Sequence, residues 1–240
     1  MATDAARRNA ILAGLDDDAL ARLLPDLHEV PLALGAVLHE AGEPVRAVYF
    51  PLVGVISVIA DLGGDQVVEA ATIGPEGMVG ISVVLGADTP TERSLVQVAG
   101  AALSMSAEDL AGHLADVDGP LTARLARSAQ AMFTQLARNA ACNRVHTVRQ
   151  RAARWLLMTA DRMDGPSFAL TQHFLAQMLS VRRTSVSEVA RSLAEDGCIT
   201  YTRGSITITD RSRLRSHACD CYDVIRRATE DALASPPAPS

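Results

Sequence analysis

The sequence contains no apolar run long enough to cross a membrane as a helix. Its most apolar segment, from Ala47 to Ala60, is interrupted by Pro51, Gly54 and Ser57 and falls well short of the roughly 20 residues that a transmembrane helix needs. The N-terminal residues include no signal-like apolar stretch, so we expect neither a signal peptide nor a membrane span. These absences lead us to expect a cytoplasmic protein with no membrane partner.

Cysteine is scarce and lysine is absent. The four cysteines lie at positions 142, 198, 219 and 221, and all 22 basic residues are arginine. We attribute the lack of lysine mainly to coding bias. In a chain with no secretory context, four cysteines confined to the second half do not indicate a disulfide framework.

Two of these cysteines form a Cys219-x-Cys221 pair that follows His217. Thiol pairs of this kind can bind metal or become oxidised. Two thiols and one imidazole do not complete a site without ligands from elsewhere in the chain. Small buried residues on the last helix are therefore the favoured interpretation, and the sequence predicts no metal site.

Charge is distributed unevenly along the 240 residues, which carry a formal net charge of −6 and are 48% apolar and 21% charged. This composition indicates a folded chain of one large or two modest domains. Residues 1–118 contain 5 arginines against 18 acids, residues 119–145 contain 4 arginines and no acid, and residues 146–216 contain 11 arginines against 6 acids. The net charge does not suggest a nucleic-acid binder, but the basic third quarter is where a polyanion would bind.

Residues 27–106 are typical of β-structure and follow two short predicted helices, Asn9 to Leu15 and Asp18 to Leu24. They contain several short runs rich in β-branched and aromatic residues, separated by turns rich in glycine and proline. Short strands with regular turn signals predict an antiparallel sandwich or barrel. The pattern becomes helical at Ser106, which can cap a helix from Ala107 to Leu114.

A long helix is predicted after Gly119-Pro120, because neither glycine nor proline occurs again before Gly165. Apolar residues recur within it at spacings of three and four, which defines a helical stripe about seven turns long. The stripe consists of Leu121, Leu125, Ala129, Met132, Leu136 and Ala140. The residues alone support two interpretations equally: the helix lies on the β-domain, or it pairs with its mate in a homodimer.

The segment 170–209 predicts a winged helix-turn-helix. Thr171 can cap a short helix, and a second helix extends from about Arg183 to Glu195 after a three-residue break. Gly197 occupies the position that commonly ends a helix. Two alternating strands joined at Arg203-Gly204 then form a hairpin.

The second helix of this motif has a polar and cationic face that suits the major groove of DNA. Arg183 is the best candidate for reading a base, since a guanidinium can form two hydrogen bonds with one guanine. Arg182, Thr171, Arg203 and Ser205 are candidates for binding phosphates. The predicted DNA-binding residues are Thr171, Arg182, Arg183, Thr184, Ser185, Ser187, Glu188, Arg191, Arg203 and Ser205. The alternative is a helical hairpin whose arginine face is only solvated, but the adjoining hairpin and the local positive charge favour DNA.

The order of β-roll, long helix and winged helix resembles the Crp/Fnr family of bacterial transcription regulators over about residues 10–215. The resemblance is strongest in Leu170-Thr171-Gln172, Leu175-Ala176 and Val181-Arg182-Arg183-Thr184-Ser185-Val186. It implies an α+β fold with an N-terminal antiparallel, jelly-roll-like β-roll. The expected parts are an effector domain (1–118), a dimerisation helix (119–145), a winged helix-turn-helix domain (146–225) and a disordered tail (235–240).

The resemblance also implies a function, which is sequence-specific regulation of transcription at an inverted-repeat operator in double-stranded DNA. It implies that the helix from Pro120 to about Asn143 pairs two subunits in a homodimer. It further implies that Arg183, with Ser185 to Glu188, reads operator bases. RNA polymerase is a further candidate partner, and an unknown small-molecule effector is expected to control binding.

Family members that bind cyclic nucleotides hold the ribose with a Gly-Glu pair and the cyclic phosphate with a later Arg-Ser pair. Here Gly80 resembles the glycine and Arg93-Ser94 the Arg-Ser pair, whereas Ile81 stands at the acidic position and cannot accept a hydrogen bond from a ribose hydroxyl. We therefore expect an effector site at Gly80, Arg93 and Ser94 that does not bind cyclic AMP. Oxygen-sensing members hold an iron–sulfur cluster with N-terminal cysteines, and this chain has none before Cys142, so we expect no such cluster.

Two other functions compete with a regulator. A β-barrel enzyme of the cupin kind needs clustered histidines and a carboxylate, but residues 1–112 contain only His28 and His39. No Ser-His-Asp or Cys-His pattern is placed for nucleophilic catalysis, so we expect no enzyme and no catalytic residues. The other competitor is a signalling adaptor whose winged helix binds protein, and such an adaptor would not bind nonspecific duplex DNA.

Overall fold

Three short helices begin the chain in the computed structural model, which describes residues 2–63, 67–115, 119–202 and 204–234. They are α1 (Ala2–Ala6), α2 (Ala10–Ala13) and α3 (Asp17–Leu23), and a 3-10 turn follows at Leu24–Asp26. Asn9 caps α2 through a side-chain oxygen that accepts hydrogen bonds from two backbone N–H groups. Asp16 caps α3 in the same way, through one backbone N–H group. Such caps satisfy N–H groups that have no partner inside the helix.

A five-stranded antiparallel sheet follows, as the β-rich pattern predicts. Its strands are β1 (His28–Leu32), β2 (Val37–His39), β3 (Ala47–Asp61), β4 (Val67–Ile73) and β5 (Arg93–Ser106). They pair in the order β1-β5-β3-β4, and β2 also pairs with β5. β3 and β5 continue through register shifts near Gly54 and Gly100. The two backbones approach so closely there that a Cβ atom on Gly100 would lie 2.0 Å from the carbonyl oxygen of Val53.

The long helix predicted after Gly119 is α6, which extends over 26 residues from Pro120 to Val145. Two short helices precede it: α4 (Ile81–Val84) and α5 (Ala107–His113). Pro120 lies in the first turn, where a missing N–H group leaves no hydrogen bond unmade. Ser106 caps α5 as predicted, because its hydroxyl accepts a hydrogen bond from the N–H of Asp109.

The apolar stripe of α6 does not form one surface, and this corrects its prediction as a continuous dimer interface. Leu121 and Leu125 are buried within their own chain in a cluster shared with α2 and β3. Met132 packs against the core of the sheet. Of the six predicted residues, Leu136 and Ala140 are the exposed ones. The helix contacts neighbours on more than one side, so its apolar spacing alone does not show which side remains free.

The second half of the chain forms the predicted winged helix-turn-helix and one further helix. Its helices are α7 (Val148–Ala160), α8 (Gln172–Met178), α9 (Arg183–Glu195), α10 (Arg211–His217) and α11 (Cys221–Leu233). Its strands are β6 (Ser167–Ala169), β7 (Ile199–Thr202) and β8 (Ser205–Ile208), paired in the order β6-β8-β7. The third strand, β6, was not part of the prediction.

The last helix, α11, lies antiparallel along α6. Near the beginning of α6, Arg124 donates a hydrogen bond to the carbonyl of Leu233 (3.1 Å). Near its end, Cys142 lies in a buried cluster with Cys221. The predicted end of the winged helix-turn-helix domain at residue 225 therefore lies inside α11, which returns along the long helix.

One apolar core connects the sheet to the second half. Val55 and Val98 of the sheet belong to the same buried cluster as Trp155 and Leu156 of α7. The architecture confirms the predicted fold class. Among the described residues, no helix is both long enough and apolar enough to cross a membrane. The tail at 235–240, predicted to be disordered, lies outside the described residues.

Candidate nucleic-acid interface and ligand pocket

Helices α8 and α9 are joined by a tight turn. Thr171 caps α8, because its hydroxyl oxygen accepts a hydrogen bond from a backbone N–H at 3.1 Å. Within the turn, Ser180 has a left-handed backbone conformation (φ 50°), and the N–H of Val181 donates to the carbonyl of Ala176 (3.0 Å). α8 ends at Met178 and α9 begins at Arg183, so four residues separate the helices where the sequence predicted three.

Helix α9 has one buried face and one exposed face. Val186, Ala190 and Leu193 are buried and hold the helix against its own domain. The exposed residues of the predicted DNA-binding set on or next to this helix are Arg182, Arg183, Thr184, Glu188 and Arg191. These side chains lie where the groove of a duplex could receive them.

Ser187 differs from the rest of this set because its side chain already has partners. Its hydroxyl lies 2.7 Å from Oε1 of Gln172 and 3.0 Å from the carbonyl oxygen of Arg183. Both of these atoms are acceptors, so the hydroxyl donates within the protein. The bond to Gln172 joins α9 to the first turn of α8, which makes Ser187 a positioning residue. Ser185 is half-buried.

The wing beside α9 consists of β7 and β8, with β6 as a third strand. Tyr201 donates its hydroxyl hydrogen to the carbonyl of Leu170 (2.9 Å), and burial raises the pKa of this phenol. Ser205 donates to the carbonyl of Phe168 (3.4 Å) and is half-buried. The predicted phosphate contact Arg203 lies outside the described residues.

The arginines between the beginning of α7 and the end of α10 fall into two groups, which the sequence does not distinguish. Some are neutralised within the domain, in the ion pairs Arg149–Asp196, Arg211–Asp161 and Arg215–Asp223. Arg191 lies 3.9 Å from Glu195 on the surface, where such a pair contributes little. Arg182 and Arg183 form no ion pair with any described residue, so their charges are available to a polyanion.

A second candidate site lies between the sheet, α4 and α6. It is an open, mostly apolar pocket of about 320 Å³. Its lining includes Gly80 and Ser94, two of the three residues predicted to contact an effector. From α6 it includes Ala129, Met132 and Leu136, which were predicted as dimer contacts. The long helix therefore forms one wall of the pocket.

The pocket contains few polar atoms, and one of them has no partner. The hydroxyl oxygen of Ser82 is buried and forms no hydrogen bond with the described residues. Nε2 of His39 lies 2.7 Å from the carbonyl oxygen of Ala47, so this nitrogen carries the donated hydrogen. Burial lowers the pKa of His39, which keeps the imidazole neutral at pH 7.

Arg93, the third residue predicted to contact an effector, is not among the residues that line the pocket. Its neighbour Ser94 on β5 lines the pocket, and neighbouring residues of a strand point to opposite faces. The described lining contains no arginine, so it offers no cation to a phosphate. Such a lining suits a largely apolar molecule that has a group for Ser82 to bind.

Comparison with known proteins identifies relatives of this arrangement. Residues 150–217 match the family model of the Crp-like helix-turn-helix domain. The chain is similar in structure to FixK2 from Bradyrhizobium japonicum, with a TM-score of 0.68 and 16% identity, covering 80% of this chain and 98% of that one. A CRP-family transcriptional regulator from Thermus thermophilus is also similar, with a TM-score of 0.65 and 18% identity. The match covers 79% of this chain and 96% of that one.

A third similar structure is the c-di-GMP responsive global regulator CLP from Xanthomonas campestris, with a TM-score of 0.62 and 18% identity, covering 81% of this chain and 100% of that one. No curated protein sequence matches the chain. These findings confirm the resemblance to the Crp/Fnr family, the fold over most of the chain and the Crp-like helix-turn-helix domain at 150–217.

Proposed function

We propose that this protein regulates transcription by binding an inverted-repeat operator in double-stranded DNA as a homodimer. The observation that carries the proposal is the exposed face of α9, where Arg182 and Arg183 have no ion-pair partner among the described residues. A helix with such a face fits the major groove, and side chains at its N-terminal end reach base edges. RNA polymerase is a further partner that this function implies.

The predicted contacts have different roles in this proposal. Arg183 reads a base, and Arg182, Thr171, Arg203 and Ser205 bind phosphates. Ser185 and Glu188 contribute to base reading beside Arg183. Thr184 and Arg191 are exposed on the same helix and lie beside the DNA. Ser187 acts indirectly, because its hydroxyl holds α9 against α8.

The two copies pair through the exposed face of α6. Four alanines, one glutamine and one phenylalanine recur along this face at spacings of three and four, which is the repeat of a two-stranded coiled coil. The face consists of Ala123, Ala126, Gln130, Phe133, Ala137 and Ala140. At its centre the side chain of Phe133 is 65% exposed, with Leu136 beside it, and pairing would remove this apolar patch from water.

An effector controls binding from the pocket between the sheet and α6. Phe133 and Leu136 line this pocket and also lie at the proposed dimer face. A molecule that packs against them therefore acts on the pairing of the two copies. The apolar lining and the buried hydroxyl of Ser82 favour a ligand other than cyclic AMP.

Operator selection with the full chain tests the proposed function. We expect the selected sites to be inverted repeats with half-site centres about 10 base pairs apart. Affinity for nonspecific duplex should fall steeply as salt rises, because phosphate contacts release counterions. The matched control is Arg227→Ala, which removes an exposed arginine from α11 and should change neither result. A chain that binds no duplex even at low salt contradicts the proposal and favours the signalling adaptor.

A further inference from the structure

Four metal-binding side chains meet where α6 ends. Cys142 lies in the last turns of α6, and His146 is the residue that caps this helix. Cys219 follows α10, and Cys221 is the first residue of α11. One ligand atom from each residue lies within 4.8 Å of the ligand atoms of the other three. The sequence shows only the Cys219-x-Cys221 half of this group, because the other half lies more than 70 positions away.

The distances agree with a tetrahedral metal site. The Sγ atoms of Cys142 and Cys219 are 3.5 Å apart, and Sγ of Cys221 is 3.8 Å from Nδ1 of His146. Zinc–sulfur bonds of about 2.3 Å in a tetrahedron place neighbouring ligand atoms roughly 3.7 Å apart. A metal ion at the centre therefore requires only small side-chain adjustments. Three sulfurs and one imidazole form a closed, four-ligand set, which is typical of structural zinc.

His217 is not part of this group, although it is the histidine nearest to the cysteine pair in the sequence. Its Nε2 lies 3.4 Å from Oδ2 of Asp196, and its ring faces Arg149. The histidine beside Cys221 in the structure is therefore His146 and not His217.

Two buried arginines next to the group provide a second, independent observation. Arg151 and Arg154 are 8% and 5% exposed, and the Nε atom of each is buried without a hydrogen-bond partner among the described residues. Their remaining bonds go to uncharged acceptors, which include the carbonyl of Leu179 and the side-chain oxygen of Asn139. Buried cations require compensating negative charge. Zn²⁺ with three thiolates carries a net charge of −1, which supplies such charge.

We propose that Cys142, His146, Cys219 and Cys221 bind one structural Zn²⁺ ion. Each of the three thiols releases its proton to the solvent when its sulfur binds the metal, and His146 binds through a neutral ring nitrogen. The ion connects the C-terminal end of the long helix to the junction of α10 and α11. It therefore holds α10 and α11 against the C-terminal end of α6, next to the connection between α6 and α7.

Metal analysis of the full chain, purified under reducing conditions without added metal, tests this proposal. We expect inductively coupled plasma mass spectrometry to find one zinc ion per chain. Cys142→Ser and His146→Asn should each lose the zinc. The matched controls are Cys198→Ser and His217→Asn. The first removes the remaining buried cysteine, the second removes the neighbouring histidine, and both should retain one zinc per chain.

A spectroscopic measurement on the unmodified chain keeps the test valid if a ligand variant fails to fold. Co²⁺ added to the reduced, chelator-treated chain should give the visible bands of tetrahedral cobalt and a near-ultraviolet thiolate-to-cobalt band. Zn²⁺ should abolish both. A wild-type chain that contains no zinc and gives no thiolate–cobalt band overturns the proposal. So does a Cys142–Cys219 disulfide in the chain purified under reducing conditions, or loss of zinc in His217→Asn with retention in His146→Asn.

Discussion

Trp155 on α7 donates a hydrogen bond from its indole N–H to Oε1 of Glu69 on β4, at 2.8 Å. This bond connects α7 to the sheet. Glu69 also belongs to a buried hydrogen-bond network. Ser57 Oγ lies 2.7 Å from Oε2 of Glu69 and 2.7 Å from Oε1 of Gln97. Gln97 in turn donates to the hydroxyl of Thr159 on α7 (3.3 Å).

The hydrogen bonds of this network are all satisfied when Glu69 is neutral. Ser57 has a single hydroxyl hydrogen, which serves only one of its two neighbouring acceptors. If Glu69 carries a proton on Oε2, it donates to Ser57 and Ser57 donates to Gln97, so every bond is satisfied. Burial, the largest cause, raises the pKa of Glu69 to about 7, against the opposing effects of Ser57, Trp155 and nearby arginines.

Glu69→Gln is expected to change how stability depends on pH. Since the pKa of Glu69 is higher in the folded chain than in the unfolded one, its contribution to stability is complete below about pH 4.5 and is lost as pH rises towards 7. The amide keeps an acceptor for Trp155 and a donor for Ser57 without this loss. Urea unfolding at pH 8 should show the variant more stable by up to roughly 3 kcal/mol, with little difference near pH 5.

The exposed Glu29 of β1 provides the control for this measurement. Glu29→Gln should leave the pH profile of the unfolding free energy parallel to that of the wild type. Equal wild-type and Glu69→Gln profiles would show that the carboxyl group is ionised in the folded chain.

Arg183→Ala should relax the operator preference at one base position in each half-site. The exposed guanidinium at the beginning of α9 can hold two acceptors of one guanine, so its loss should cost about 1–3 kcal/mol of specific binding. Arg183→Lys keeps the charge without the planar two-donor geometry and should also lose this preference. Binding selections with both variants provide the measurement. Retention of the wild-type preference in Arg183→Ala would refute the assignment of this residue as a base reader.

Arg203→Ala should weaken binding to all sequences alike. The residue occupies the predicted tip of the wing, where it would meet phosphate only, so the slope of log affinity against log salt should become shallower by about one unit. Titrations of an operator and a nonspecific duplex over a range of salt concentrations measure this slope. A change in base preference with Arg203→Ala would instead make the wing the reader.

Phe133→Glu combined with Leu136→Glu should convert the dimer to a monomer. Both side chains lie on the exposed side of α6, and two buried like charges per chain would oppose pairing. Light scattering gives the mass, and circular dichroism confirms that the helices persist. Leu34→Glu, at a position 61% exposed in the turn after β1, is the control and should remain dimeric. A dimer that survives the double substitution would place the interface elsewhere.

Cyclic AMP at millimolar concentration should not tighten operator binding. Ile81 offers no acceptor to a ribose hydroxyl, and the pocket lining does not include Arg93, so neither the sugar nor the phosphate finds its partner. Calorimetry with the full chain measures whether cyclic AMP binds to the protein. Binding in the micromolar range would overturn the interpretation of the pocket.

Local chemistry made the helix-turn-helix predictable from the sequence. Each signal acts over only a few residues, and each is confirmed in the structure. Thr171 caps α8, Gly197 follows the end of α9, and the buried face of α9 consists of Val186, Ala190 and Leu193. The same reasoning located the long helix, because Pro120 begins it and no helix breaker follows. Propensity, capping and periodicity depend on neighbours in the chain, so an isolated sequence reveals them.

Tertiary structure decided everything that depends on residues distant in the chain. The group of Cys142, His146, Cys219 and Cys221 forms only because α11 returns along α6, and no spacing rule connects residues 77 positions apart. The stripe on α6 was misassigned for the same reason, since several faces of that helix are apolar and only its packed neighbours show which one remains free. The sequence determined local elements such as the long helix and the helix-turn-helix, whereas packing between elements decided which side chains meet, because contact depends on distance in space.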